Sequence, residues 1–128
     1  MSITKRGSIF HMKKVFIIGR ITANEPMRFI DNIKKGINME AYLISQGFNV
    51  SHHFLDFNYL LSTEYPVDVN MLRQISLDDL RRSNVAFCLF GWEGSPNCIT
   101  ERDLAIELNK RVYYDVQSLI HHEKDMPF

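Results

Sequence analysis

Two short, almost wholly apolar runs closed by glycine constrain this chain more than anything else in it. Lys14–Gly19 reads KVFIIG, and Asn84–Phe90 reads NVAFCLF with Gly91 next. β-Prone side chains without polar alternation belong in strands covered on both faces, which is the signature of a parallel sheet. The intervening sequence supports this reading. Pro26 suits a first helical turn. From there Phe29, Ile30, Ile33, Ile37, Ala41 and Ile44 recur at three- and four-residue steps as one helical face, until Gly47 supplies a stop. Gly36 inside that helix costs roughly 1 kcal/mol against alanine and so predicts a packing reason.

Phe48–Phe54 reads as a second strand and Val69–Arg82 as a helix. Cys98–Asn109 is a further helix, Arg111–Asp115 a last short strand, and the tail with His121 and His122 carries no pattern. Asp56–Asp68 holds Phe57, Tyr59, Tyr65 and Pro66 and reads as a long functional loop or a short irregular helix. Strands alternating with helices give βαβ units with right-handed crossovers, hence an α/β domain with a mainly parallel sheet of about four to five strands. Ligands in such sheets sit outside the carboxyl ends of the strands. Three loops reach that edge: Gly19–Glu25, His52–Asp56 and Gly91–Asn97.

The 128 residues suit one domain over 13–128, with 1–12 as a flexible lead-in or the product of an upstream start codon. Lysine plus arginine equals aspartate plus glutamate at 15 each, a poor match to a protein that grips a nucleic acid polymer. A small anionic ligand held by one or two groups remains compatible. Cys88 and Cys98 show no zinc spacing, so no metal or other cofactor is expected. Both read as reduced thiols in a cytoplasmic protein. No segment reads as a signal peptide or a membrane span.

On a helical wheel with Glu101 at zero, Leu108 falls about 20° away, Ala105 about 40°, and Leu104 and Cys98 about 60°. Glu101 therefore lies on the centre of the apolar stripe, where a carboxylate is costly without partners or a purpose. Either it bonds backbone amides at its own helix start, as in a capping box, or it addresses a ligand. Burial raises its pKa and the helix dipole lowers it, so the sign stays open. In the loop GWEGSPN, Gly91 and Gly94 permit close backbone approach, Trp92 offers a stacking or packing wall, and Ser95 offers a hydroxyl beside a helix start suited to an anion.

With these residues in view, KVFIIGRIT and GWEGSPNCITERDLAIELNKRV resemble the nucleoside 2-deoxyribosyltransferase-like superfamily. The resemblance is closest to its small phage and prophage branch and to the deoxynucleoside monophosphate N-hydrolases. It spans roughly Lys13 to Asp115, and Gly91, Trp92, Glu93, Ser95 and Glu101 keep the branch's spacing. It implies a flavodoxin-like or Rossmann-like three-layer sandwich and a homodimer or higher homo-oligomer. The implied chemistry is attack by Glu101 on the anomeric carbon of a 2-deoxyribosyl group, following the logic of retaining glycosidases. Ser95 matches a phosphate-holding serine of the N-hydrolases, which points to a nucleotide over a nucleoside. Gly19, Arg20, Gly91, Trp92 and Asn97 fall in the implied binding loops.

Several positions depart from the family pattern. Phe16 stands where the transferases carry a tyrosine that orients the nucleophile. Arg20 replaces a proline, and is either a phosphate clamp or a solvated side chain. Ser76 replaces an aspartate that assists base departure; Asp79, one turn later, is the candidate to take its place, with surface or capping use as the alternative. Asn97 and Cys98 replace a Gly-Ala pair. These departures keep a non-catalytic nucleotide-sensing or sequestering module open beside the enzyme, and a ribosyl substrate stays open because no residue here reads the 2′-position.

Outside the motifs, His52 and His53 alternate at the ligand edge, so one faces inward as a proton shuttle, phosphate contact or plain polar strand end. Tyr59 and Tyr65 serve as a lid or as packing. A phospho-receiver would need acidic residues where Gly19-Arg20 and Phe90-Gly91 stand, and a dinucleotide-binding fold would need GxGxxG after the first strand. Neither fits.

Overall fold

A computed structural model of the chain describes residues 12–124 and 126. Residues 1–11, most of the expected lead-in, lie outside that range. Four parallel strands, β1 (Lys14–Ile18), β2 (Asn49–Ser51), β3 (Val85–Cys88) and β4 (Arg111–Tyr113), form one sheet in the order β2-β1-β3-β4. Helices α1 (Pro26–Ser45), α2 (Val69–Arg81), α3 (Pro96–Glu107) and α4 (Val116–Lys124) surround it. The register pairs Val15 with both Val50 and Val85, and Phe87 with Tyr113. The expected α/β three-layer sandwich with a parallel sheet is what the chain forms.

Alternation along β1 divides the core in two. Val15 and Ile17 join Leu43, Phe48, Phe54, Val85, Phe87, Leu119 and Ile120 on the α1 and α4 side. Phe16 and Ile18 join Leu80, Ala86, Cys88, Cys98 and Ala105 on the α2 and α3 side. Both faces of the central strands are covered, which is why their sequences show no polar alternation. Helix ends follow their local signals. Gly47, at φ 96°, closes α1 with Phe48 N–H donating to Leu43 O at 3.1 Å and Gly47 N–H to Ile44 O at 2.9 Å. Asn109, at φ 59°, closes α3 in the same manner. Pro96 at the first turn and Ser95 as its cap start α3 two residues before Cys98. Asp56–Leu61 is a 3-10 helix.

Two sequence expectations need correction. The stripe Phe29, Ile30, Ile33, Ile37, Ala41 and Ile44 is not the sheet-facing side of α1, since Ile30 and Ile44 are 42% and 51% exposed. The buried residues are Gly36 and Leu43. A Cβ at Gly36 would stand 2.2 Å from Phe54 Cε2, so glycine there makes room for a buried ring. Residues 116–124 are not a patternless tail but α4, begun where Asp115 Oδ2 accepts from Ser118 N–H at 2.9 Å. Its buried stripe is Leu119, Ile120 and Glu123, and the carboxylate hid the apolar period.

Glu123 is held from three sides. It accepts from Arg111 Nε at 2.6 Å, Arg111 Nη2 at 2.8 Å and Lys13 Nζ at 3.0 Å, and from the hydroxyl of Tyr113. Burial alone would raise this carboxyl, but Arg111, Tyr113 and Lys13 outweigh it and bring it down to about 2.

Gly36→Ala, which would stabilise a helix at an exposed position, is expected to destabilise by about 1–3 kcal/mol at this buried one, because the new methyl would overlap the buried ring of Phe54. Combining it with Phe54→Leu should recover part of the loss, as equilibrium denaturation of the single and double variants will show. Glu123→Ala should cost about 3 kcal/mol, since it strips the counter-charge from a buried cluster. The Glu123 carboxyl is depressed from 4.5 to about 2, so its contribution is complete above pH 4.5 and disappears as pH falls through about 2. Denaturation of the two proteins across that range should converge at the acid end.

Candidate functional site

At the carboxyl edge of the sheet, on the α2 and α3 side, lies a cavity of about 260 Å³. Phe29, Phe57, Leu60, Val69 and Leu72 supply apolar wall, while Glu101, Arg73, Ser76, His53 and Asp56 supply the polar groups. Phe29 and Phe57 meet edge to face at 5.4 Å between ring centres. An apolar enclosure with few convergent polar groups is the usual build of a small-molecule site.

Glu101 projects from α3 into this cavity and is only 8% exposed. Its Oε2 accepts from Arg73 Nη1 at 2.5 Å and, at the long limit, from Ser76 Oγ at 3.5 Å. Arg73 Nη2 also donates to Asn97 O at 3.0 Å, so one guanidinium ties α2 to Glu101 and to the first turn of α3. Burial is the dominant influence on the Glu101 carboxyl and raises it above its ordinary 4.5, with Arg73 pulling the other way. The sign left open by the sequence is therefore upward. Capping falls to Ser95, whose Oγ accepts from Cys98 N–H at 3.3 Å. Glu101 is therefore not the cap of its own helix: it bonds to side chains of α2.

Of the residues expected to form a site, Glu101, Gly19, Ser95 and Asn97 line this cavity. Arg20 and Gly91 border a separate groove between α1 and the loops after β3 and β4. The Arg20 guanidinium lies against Gly94, where a Cβ would come within 2.7 Å of Nη1, and its Nε donates to Thr22 O at 3.2 Å. Trp92 does not face the cavity. Its ring lies 5.7 Å from Tyr114 with the Arg102 guanidinium 4.6 Å over it, and it packs against the core cluster of Phe16. Gly91, at φ 91°, makes the turn that sets Trp92 there.

Asp79 also stays outside the cavity but acts on its wall. It accepts from Lys14 Nζ at 2.7 Å and from the Ser51 hydroxyl, and it meets His53 Nε2 at 2.9 Å. Burial would raise its carboxyl, yet Lys14, Ser51 and His53 together bring it down to about 2. His53 Nδ1 lies 2.7 Å from Asp56, so the ring is clamped between two carboxylates and faces the cavity. His52 points the other way, to Glu40 at 2.8 Å. Phe16 takes part in the wall with its ring 5.9 Å from His53. Tyr59 and Tyr65 stay 59% and 72% exposed, and Phe57 and Leu60 cover the cavity in their stead. Burial pushes the Cys88 thiol up to about 12 and the cavity-lining Cys98 upward as well, which leaves both protonated.

Arg73 was not foreseen from the sequence. Its signal was available: it precedes Ser76 by three residues, on the helical face that also carries the buried Leu72 and Leu80.

Among solved structures, the fold is similar to that of a 2-deoxyribosyltransferase from the psychrotolerant bacterium Bacillus psychrosaccharolyticus. The TM-score is 0.60 over 86% of this chain and 92% of that one, at 13% sequence identity. The likeness is one of fold. No protein-family model matches the sequence, and no curated protein matches it. Among the described residues no helix is long and apolar enough to cross a membrane.

Asp79→Asn is expected to loosen the clamp on His53 and to cost about 1–2 kcal/mol, the scale of a lost charge-assisted hydrogen bond. Because this carboxyl is depressed from 3.8 to about 2, the gap from the parent protein should be complete above pH 4. It should close as pH falls through about 2, which acid denaturation curves can follow.

Proposed function

We propose that this protein cleaves or exchanges the N-glycosidic bond of a 2-deoxyribonucleoside monophosphate, with Glu101 as nucleophile. The observation that carries the reading is a buried carboxylate, placed by α3 at the centre of an apolar stripe, that opens onto a cavity at the sheet's carboxyl edge. The transferase-like fold and the shared spacing from Gly91 to Glu101 support it.

The reaction runs in two displacements. A Glu101 carboxylate oxygen forms a bond to the anomeric carbon as the carbon–nitrogen bond breaks and its electron pair leaves with the base. His53 and Asp56, hydrogen-bonded to each other on the cavity wall, supply the proton that the base takes up. Water, or a second base, then attacks the same carbon as its bond to the Glu101 oxygen breaks, which returns the carboxylate, and the proton shed by the attacking group goes back to the His53–Asp56 pair. The positive charge that develops on the sugar is stabilised by the anionic glutamate. Phe29 and Phe57 receive the planar base, and the Ser95 hydroxyl meets the 5′-phosphate. No cofactor takes part. A homo-oligomer is proposed from the resemblance alone.

A second reading, a non-catalytic nucleotide-binding module, draws on Phe16, which brings no hydroxyl to the nucleophile, and on Arg73, which occupies Glu101 with a full positive charge. The two readings separate in one assay. A panel of deoxynucleoside monophosphates is incubated with the protein and free base is measured by chromatography. Base release that Glu101→Gln lowers by at least ~10³-fold, with the fold intact, is the expected outcome. The rate should fall on the acid side at a pH above 4.5, because burial raises the nucleophile's carboxyl. Saturable binding without release, or release untouched by Glu101→Gln, removes the glutamate nucleophile.

A further inference from the structure

The arginine beside Glu101 sits awkwardly for the proposed chemistry. A guanidinium next to a sugar carbon that gains positive charge raises the barrier, since like charges repel in a cavity of low polarity. The same guanidinium, at 2.5 Å, also holds Oε2, one of the two carboxylate oxygens, and draws negative charge away from both. Position resolves both difficulties. Arg73 spans the site from Glu101 Oε2 to the main-chain carbonyl of Asn97, two residues from Ser95. Its side chain is 22% exposed and lines the cavity, and a guanidinium has five N–H donors, of which these two bonds use two.

We propose that Arg73 determines specificity for a phosphorylated ligand. A phosphate seated at the Ser95 end takes the guanidinium as a forked partner and draws it from Glu101, which frees the carboxylate oxygen and neutralises the cation in one movement. An uncharged nucleoside leaves the Arg73–Glu101 pair closed. Guanidinium suits this exchange because its planar fork pairs with carboxylate and phosphate alike. The charged or titratable groups around Glu101 are Arg73 on α2, His53 with its partners Asp56 and Asp79, and the Cys98 thiol on α3; Arg20 stands farther off against Gly94. Of the cationic side chains, Arg73 alone touches the carboxylate among the described residues.

This inference rests on the nucleotide reading of the site but not on turnover. Affinity is measured by calorimetry for each 2′-deoxynucleoside 5′-monophosphate and for the matching nucleoside, on the parent protein, Arg73→Gln, Arg73→Lys and Glu101→Gln. The parent should prefer the monophosphate roughly ten- to a hundredfold, the span of one or two charge-assisted hydrogen bonds. Arg73→Gln should bring that ratio close to one, and Arg73→Lys should keep much of it. Glu101→Gln should raise the preference for the monophosphate over the nucleoside by about tenfold, because the guanidinium is no longer shared. A purely structural arginine would produce no such gain. An unchanged ratio in Arg73→Gln, no gain in Glu101→Gln, or a parent that binds both ligands alike or neither overturns the proposal. Absence of base release with these ratios intact would instead sink only the glycosidic reading.

Discussion

The pair between Glu101 and Arg73 is the interaction on which the functional end of the molecule depends. A carboxylate at the centre of an apolar helix stripe is tolerated only when a cation or hydrogen bonds replace the water it loses. Here the cation comes from a different helix. Its second arm reaches the main chain of Asn97, so the charge compensation also fixes α2 against the start of α3. The cavity opens where these two helices and the loops after β1 and β2 cannot close over a charged pair as they close over hydrocarbon.

The chain carries a second carboxylate on an apolar stripe, and the contrast between the two is instructive. Glu123 of α4 meets Arg111, Tyr113 and Lys13 together, and its carboxyl is brought down to about 2. No side of it is left for anything else. Glu101 has one strong partner and a long contact with Ser76, and its carboxyl moves upward. The same residue type in the same kind of position thus makes a fully partnered knot on one face of the sheet and a sparsely partnered carboxyl that opens onto a cavity on the other. The number of donors that converge on each carboxylate sets the difference.

Much of the architecture was legible without coordinates. KVFIIG and NVAFCLF have the composition of strands buried on both faces, and Gly47 and Pro26 mark the ends of α1 by backbone geometry that few other residues share. The orientation of Glu101 followed from helical spacing alone. The failures have particular causes. The apolar spacing on α1 did not mark its buried side because the central buried residue is Gly36, which contributes no apolar side chain and only makes room for Phe54. Helix α4 was missed because Glu123 interrupts its stripe. Trp92 and Arg20 had the right composition for a binding loop, yet one packs on Tyr114 and Arg102 and the other lies against Gly94.

By itself the sequence determined the order of the strands and of the first three helices, the parallel sheet, and the inward aim of one glutamate. These rest on local periodicity and turn chemistry, which are properties of neighbouring residues. Only the tertiary structure decided that Arg73 meets Glu101, that Asp79 reaches His53, and that Lys13 and Arg111 meet on Glu123. Those pairings join residues that are far apart in the chain. Electrostatics acts across the space the folded helices enclose, and no spacing along the sequence encodes which distant charges that space brings together.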